Sequence, residues 1–308
     1  MFPAVVSGDR WGASGGAVVS CGSRYSLQMC IQWRRHVIRV AVVLVAMVVG
    51  TGVAGAQPPD TDYQAPRTAD GHPDLNGIWQ ALGSAHWDIE GHVARMGPIA
   101  ELGALGAIPA GMGVVADGEI PYRPEALETR NHNREHWVDL DPAAKCYMPG
   151  IPRATYMPFP FQIVQNPQAL MFAYEFTSST RVVRMDRPGT EAALPSWMGY
   201  ALGRWEGETL VVDVTKQVAD TWFDSSGNFH SASLEVEERY TAISPDALWY
   251  EVTIRDPEVF TRPWQMSMPL YRRLEPNARV LEFKCIPFAE EKMFGEWYRR
   301  DAPEDEGR

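Results

Sequence analysis

Glu238 is the acidic residue whose position most strongly suggests chemistry, because it lies on the apolar side of a predicted strand. The residues that share its strand parity are Leu234, Val236 and Tyr240. An inward carboxylate is unfavourable unless it is paired or hydrogen-bonded. We therefore expect either a general acid or base with a raised pKa in a barrel cavity, or an ion pair with an arginine such as Arg239 or Arg255. A bulge that turns Glu238 outward is the third possibility.

His230 lies in the loop that directly precedes this strand and that also contains Trp222 and Asp224. Loops at the mouth of a barrel often carry function. Asp224 could orient the His230 imidazole for proton transfer. Together with Arg153 and Tyr156, these residues are predicted to form the open end of a barrel. The alternative is a loop histidine that only hydrogen-bonds a turn.

His132 and His136 form a second candidate site on a predicted helix. The segment between them has the letters H-x-x-E-H of inverted zinc peptidases, with both histidines on one helix face. Such a peptidase also needs an acidic ligand on a second helix, and the sequence after Trp137 predicts turns and strands. The segment is polar on all sides, as in a solvated helix. Zinc binding here is therefore the secondary alternative, and the sequence implies no metal and no other cofactor.

The elements that must position these residues are short strands, which follow one another from residue 161 to residue 286. Nine runs have strand composition and end at turn residues: 161–165, 169–176, 180–185, 201–205, 209–215, 234–242, 248–254, 264–274 and 279–286. Gly207 lies in a hairpin loop where positive φ is needed. No helical pattern intervenes. The sequence therefore predicts an all-β fold, an antiparallel barrel, with a β-sandwich as the alternative.

Alternation along two of these runs assigns their faces. Leu248, Tyr250, Val252 and Ile254 share one side of their strand. In the next run, Met266 and Met268 belong to an apolar set with Trp264 and Leu270. This soft, wide surface suits either a packed core or an adaptable ligand cavity.

Residues 57–160 have a different character, being rich in Pro, Gly and Ala. They predict an irregular arm that lies over the barrel and contains a first strand and one short helix, 124–137, opened by a proline. The arm and residues 161–308 are expected to form one domain, because a single barrel can reach about 250 residues.

Residues 1–56 indicate export. Three arginines between residues 34 and 39 precede the apolar run 40–49, and the small residues that follow fit cleavage between Ala56 and Gln57. The apolar run is shorter than the roughly 20 residues that span a membrane. The mature chain is therefore expected in the periplasm or medium, not anchored in the membrane. The paired arginines also resemble a twin-arginine export signal.

Cleavage at this site changes the charge and the cysteine content. The formal net charge of −11 becomes −15, because the removed segment has five basic residues and one acidic residue. Such an acidic chain would repel phosphate backbones and anionic lipid surfaces, which argues against a nucleic-acid partner. Cys146 and Cys285 are the cysteines that remain, and in an oxidising compartment they are expected to form a disulfide.

The mature sequence contains five short motifs. In chain order they are Thr68-Ala-Asp-Gly-His-Pro-Asp-Leu-Asn-Gly-Ile-Trp79, Lys145-Cys-Tyr-Met-Pro-Gly-Ile-Pro-Arg153, Trp197-Met-Gly199, Gly203-Arg-Trp-Glu-Gly-Glu-Thr-Leu-Val-Val-Asp213 and Gly227-Asn-Phe-His-Ser231 with Glu238-Arg-Tyr240. Together they resemble a family of exported hypothetical proteins of soil and environmental bacteria. The resemblance implies export and carries over no activity. Glu235 stands where relatives have the second histidine of His-Ser-x-x-Leu-His, which argues against a two-histidine metal site.

Gly77-Ile-Trp79 also resembles the Gly-x-Trp motif that opens the first strand of lipocalins and other calycin barrels. This likeness implies a calycin-like barrel in which the tryptophan plugs one end and the other end stays open.

These observations support three hypotheses about function. The first is an enzyme whose open end performs acid–base chemistry, as a lyase, isomerase, hydratase or hydrolase, on a small apolar or aromatic molecule. The second is a non-catalytic binding or carrier barrel, in which the face of Met266 and Met268 holds an apolar ligand. The third is a structural envelope protein. The abundant Trp and Tyr residues could line a cavity or fill a core. A small molecule is the expected partner, and the oligomeric state is not specified.

Overall fold

The computed structural model describes residues 59, 62–97, 100–185, 194–283 and 285. All of these described residues belong to one compact unit. The predicted export segment, residues 1–56, lies outside the described residues.

In the described part of the chain, nine strands close into a barrel, because the last strand pairs back to the first. The strands are β1 Gly77–Ala81, β2 Phe161–Asn166, β3 Ala169–Tyr174, β4 Thr180–Met185, β5 Tyr200–Glu206, β6 Thr209–Thr215, β7 Glu235–Ser244, β8 Ala247–Arg255 and β9 Trp264–Arg272. The closed barrel confirms the all-β barrel prediction and excludes the sandwich alternative.

Two details of the predicted strand order are wrong. The last predicted run, 279–286, is not a strand over its described residues, and β1 of the arm completes the barrel instead. The barrel is also not antiparallel throughout, because β4 and β5 run parallel, with Val183 opposite Ala201. A parallel pair needs a crossover connection of about a dozen residues or more, and the connection 186–199 has that length.

The barrel interior is lined by the residues that alternation placed inside. Leu248, Tyr250, Val252 and Ile254 of β8 are at most 1% exposed. The apolar set of β9 that includes Met266 and Met268 also faces inward. Burial of each large apolar side chain stabilises the fold by roughly 1.5–3 kcal/mol. The period-2 pattern therefore predicted both inward faces correctly.

The two ends of the barrel differ in the length of their connections. We call one the turn end, because it carries the short turns 167–168, 207–208 and 245–246. Gly207 has a φ of 60° there, as its hairpin position predicts. We call the other the arm end, because it carries the long connections 82–160, 175–179, 216–234 and 256–263.

Helices lie mainly in the arm. They are α1 Pro124–Glu135, α2 Trp137–Leu140 and α3 Arg153–Tyr156, with 3₁₀ turns at Ala100–Leu105, Pro142–Lys145 and Phe176–Ser178. The predicted helix begins at Pro124 as expected and ends two residues early, since His136 leaves the helical conformation. All four residues of α3 are buried, and this single turn packs on β1. Within the described ranges, no helix is long and apolar enough to span a membrane.

Cys146 and Cys285 form a disulfide, as predicted, with their Cα atoms 5.6 Å apart. The bond ties the segment after β9 back to the arm. Beside it, the ring of Phe283 packs on Phe159 and Phe176 at centroid distances of 5.0 and 5.1 Å.

Trp79 closes the turn end. Its ring is 1% exposed, and its indole Nε1 donates to the Leu75 carbonyl at 3.0 Å. The Arg272 guanidinium lies 4.1 Å from the ring centroid and donates to the Asn76 carbonyl at 2.9 Å. Gly77 has a φ of 149°, and any Cβ there would meet the Arg272 guanidinium. Glycine is favoured at this position because L side chains rarely adopt a φ of 149°.

Candidate functional site

The barrel interior contains a buried ion pair between Arg181 of β4 and Glu238 of β7. The Arg181 Nη1 atom bonds Glu238 Oε2, and Nη2 donates to Oε1 at 3.1 Å. Both side chains are at most 2% exposed. The hydroxyls of Tyr240 and Tyr250 also donate to Oε1, at 2.8 and 2.7 Å. One buried carboxylate therefore accepts four hydrogen bonds inside the barrel.

Sequence parity placed Glu238 inside correctly but did not identify its partner. Arg239 faces outward and pairs with Glu206. Arg255 lies opposite Glu235 at the arm end of β7 and β8 and is not the partner of Glu238. Arg181 shares strand parity with Val183 and Met185, so the signal was present in the sequence. Of the three expectations for Glu238, the geometry matches the ion pair.

The ionisation states of the cluster follow from burial and from the pair. Burial would lower the pKa of Arg181, but the adjacent Glu238 carboxylate raises it well above the ordinary value. Burial and the same carboxylate raise the pKa of Tyr240 and Tyr250. The tyrosines are therefore neutral donors at physiological pH, and the charges of arginine and glutamate cancel.

Three polar atoms beside the ion pair have no hydrogen-bond partner among the described residues: the Tyr174 hydroxyl, the Thr155 hydroxyl and the Nε of Arg181. Burial raises the pKa of Tyr174 to about 12, while Arg181 and Thr155 lie near enough to lower it partly. By distance and angle, however, neither Thr155 nor Arg181 forms a hydrogen bond with the Tyr174 hydroxyl. Thr155 reaches the cluster from α3, and no sequence pattern indicated that it would. Buried polar groups are nearly always satisfied, so these three atoms are candidates for contact with a bound molecule.

Met266 and Met268 of β9 line the same interior. Met268 lies opposite Tyr250 and Met266 lies opposite Val252 in the strand register. Both side chains are buried. The predicted ligand face is therefore next to the ion pair and its tyrosines.

The residues predicted at an open mouth are brought together at the arm end, but they are not open to solvent. They are Arg153, Tyr156, Trp222, Asp224 and His230, and none is more than 8% exposed. The arm and the connection 216–234 cover this end. The Tyr156 hydroxyl, for example, donates to the Phe223 carbonyl at 2.8 Å. The prediction of an open end is wrong, because local patterns do not show how a long arm folds back.

Asp224 organises this cover. Its Oδ2 accepts from the Ile89 backbone N–H at 2.9 Å and from the Asn228 amide at 2.6 Å. Its Oδ1 accepts from the Ser226 and Asn228 backbone N–H groups. Burial and the charge of Asp88 raise the pKa of Asp224 to about 7, against the opposing effect of these donors. The carboxylate joins the arm to the loop and has no free lone pair facing a cavity.

His230 does not pair with Asp224, so the predicted Asp–His couple is wrong. Its Nδ1 donates to the Ser231 carbonyl at 2.8 Å. Its Nε2 lies 2.7 Å from the Thr221 hydroxyl and 3.3 Å from the Gln217 amide. Burial lowers the pKa of His230. The neutral ring is thus fully bonded, as in the alternative of a turn-bound histidine.

Arg153 anchors α3 beneath the cover. Its guanidinium forms a two-point pair with Asp141, at 2.7 and 2.8 Å, and donates to the Ser225 hydroxyl at 2.9 Å. Burial would lower the pKa of Arg153, but the Asp141 carboxylate raises it. This pair fixes the helix turn that delivers Thr155 to the interior.

His132 and His136 lie on the exposed side of α1, with ring centroids 4.6 Å apart. The described residues contain no group of three or more His, Cys, Asp or Glu side chains that could hold a metal ion. The two histidines therefore have no third ligand there.

An open cleft of about 600 Å³ lies outside the barrel, lined by Pro160, Glu175 and the segment after β9. Arg273 and Glu275 at its rim pair with each other. None of the predicted site residues lines it, so the unsatisfied groups of the interior remain the stronger candidate.

Comparisons of the chain with models of protein families, with curated proteins and with solved structures gave no match.

Proposed function

We propose that the protein binds a small organic molecule inside its barrel, next to the Arg181–Glu238 pair, without catalysing a reaction. The observation that carries this proposal is the set of unpartnered atoms on Tyr174, Thr155 and Arg181. Each buried polar group without a partner costs about 1–3 kcal/mol. A molecule that hydrogen-bonds these atoms would recover this free energy on binding.

The acid–base hypothesis has less support. A general base needs a free lone pair within reach of its substrate. The Glu238 carboxylate accepts four hydrogen bonds, and Asp224 also accepts four. Both ring nitrogens of His230 have partners. The three groups that were predicted to transfer protons are therefore occupied by structural bonds.

We further propose that the barrel is calycin-like and acts outside the cytoplasm. The calycin likeness is supported by Trp79 at the closed turn end and by the closed barrel itself. Export is supported by the signal-like sequence before Gln57 and by the Cys146–Cys285 disulfide, which suits an oxidising compartment. A structural envelope protein would retain its apolar segment as an anchor or form a complex with a stable partner. N-terminal sequencing that finds Gln57 first in a soluble fraction would exclude the anchored form.

The binding proposal is tested with purified protein in two steps. Native mass spectrometry before and after solvent extraction should reveal a co-purifying small molecule. Titration of the extracted protein with N-phenyl-1-naphthylamine, an uncharged dye, should then give saturable binding of one dye per chain. A protein that retains its near-ultraviolet circular dichroism but shows neither result would contradict the proposal.

A matched pair of variants locates the dye. Met268 faces the interior, whereas Met171 lies on the outer face of β3 and is 41% exposed. Met268→Gln should weaken dye binding at least about fivefold, because it places an amide against the apolar part of the ligand. Met171→Gln should leave binding within twofold. Equal effects would mean that the dye binds the surface.

A further inference from the structure

We infer that the ligand is an uncharged aromatic molecule that carries a hydrogen-bond-accepting oxygen of the carbonyl class, and that the site rejects the matching carboxylate. This inference rests on the proposed binding function and adds the chemistry of recognition. It follows from the hydrogen-bond inventory of the three unpartnered groups, from the charge of the cluster and from the rings around it.

The unpartnered atoms offer donors. The Arg181 Nε–H can only donate, and the hydroxyls of Tyr174 and Thr155 can donate or accept. Tyr174 keeps its proton, since burial raises its pKa to about 12. A ligand oxygen with two lone pairs would satisfy two of these donors at once. A ligand without an acceptor would leave the Nε–H unsatisfied.

The charge of the cluster is already balanced. The Arg181 guanidinium holds Glu238 with both terminal nitrogens, and that carboxylate is 0% exposed. A second carboxylate beside it would lose its hydration and be repelled by Glu238, with no uncompensated positive charge in exchange. The buried donors therefore favour a neutral oxygen over an anionic one.

Aromatic rings surround these donors. The ring centroids of Phe172 and Tyr240 lie 5.5 Å apart, and the Arg181 guanidinium lies 4.5 Å from the Phe172 centroid. The Tyr174 ring lies 5.4 Å from that of Phe161. Such walls suit a flat apolar body.

The inference is tested by displacing bound N-phenyl-1-naphthylamine from the purified protein at neutral pH with three probes of the same shape. They are 2-acetylnaphthalene, which has a carbonyl oxygen, 2-ethylnaphthalene, which has none, and 2-naphthoate, which is anionic. The ketone should bind about five- to tenfold more tightly than the hydrocarbon, the effect of one or two buried hydrogen bonds. The carboxylate should bind more weakly than both.

Tyr174→Phe and Thr155→Val remove one donor each with little change of shape. Each should reduce ketone affinity about three- to tenfold and leave hydrocarbon affinity within twofold. Tyr271→Phe, on the outer face of β9 where the ring is 41% exposed, is the control and should change neither. Either interior variant alone suffices if the other does not fold.

Three results would overturn the inference while the binding function stands: dye binding that none of the probes displaces, a carboxylate that binds as tightly as the ketone, or a ketone with no advantage over the hydrocarbon. Ketone affinity unchanged in both interior variants would overturn it as well. Absence of dye binding and of any co-purifying molecule would instead contradict the proposed function itself.

Discussion

Arg181 and Glu238 face each other inside the barrel from strands that are not neighbours, with β5 and β6 between them. The pair is 57 residues apart in sequence, and its two charges are withdrawn from solvent. Removing charges from water costs several kcal/mol per ion, so the pair persists only because every acceptor of the carboxylate is used. The stability of the fold and the polarity of the candidate site therefore depend on the same ion pair.

The ion pair should show strong energetic coupling. Arg181→Met and Glu238→Met should each lower the free energy of unfolding by about 3–5 kcal/mol, since each leaves an unpaired buried charge. The double variant should lose less than the sum by roughly 2 kcal/mol or more. Urea unfolding followed by circular dichroism measures all four proteins. Additive losses would show that the two charges do not depend on each other.

The two kinds of interior tyrosine should respond differently to loss of the hydroxyl. Tyr250→Phe removes a hydrogen bond to a carboxylate and should cost about 1.5–3 kcal/mol. Tyr174→Phe removes a hydroxyl without a partner and should change stability by less than about 0.5 kcal/mol, or increase it. Urea unfolding of ligand-free protein measures both. A large loss in Tyr174→Phe would mean that its hydroxyl is hydrogen-bonded after all.

His86 should make the fold sensitive to acid. Burial, and then the charge of Arg153, lowers the pKa of His86 from 6.5 to about 4. Between these pH values the unfolded chain binds a proton that the folded chain does not. Stability is therefore complete above about pH 6.5 and falls as the pH is lowered towards 4, by up to about 3 kcal/mol from this residue.

The measurement is urea unfolding of the wild type and of His86→Gln from about pH 7 to about pH 4. The variant should lose less stability than the wild type over this range, because glutamine does not titrate. His230, whose pKa burial also lowers, contributes in the same direction in both proteins. Parallel curves for the two proteins would contradict the role of His86.

The disulfide should contribute a large share of the stability. Cys146 and Cys285 are separated by 139 residues, and closing so long a loop in the unfolded chain stabilises the fold by about 2–5 kcal/mol. Reduction should lower the free energy of unfolding by this amount and shift the urea midpoint to a lower concentration. The double variant Cys146→Ser/Cys285→Ser should start at that lower midpoint and not respond to reductant. A wild-type midpoint that reductant does not change would rule out this contribution.

The sequence by itself determined which side of each strand faces the core. A strand places successive side chains on opposite faces, so Leu248 to Ile254 and the Met266–Met268 set could be assigned from a period of two. The same rule placed Glu238 inside. The same rule also places Arg181 inside, because it shares one side of β4 with Val183 and Met185.

Only the tertiary structure decided which of these residues meet. The closure of β9 on β1, the parallel step from β4 to β5 and the ion pair are contacts between distant segments, and no local period encodes them. The arm end shows this most clearly. Asp224 was expected to orient His230, six residues away, but it bonds the Ile89 N–H, 135 residues away. A buried carboxylate is stabilised by whichever donors the folded chain brings to it. Three of the four donors to Asp224 are backbone N–H groups, which carry no sequence signature.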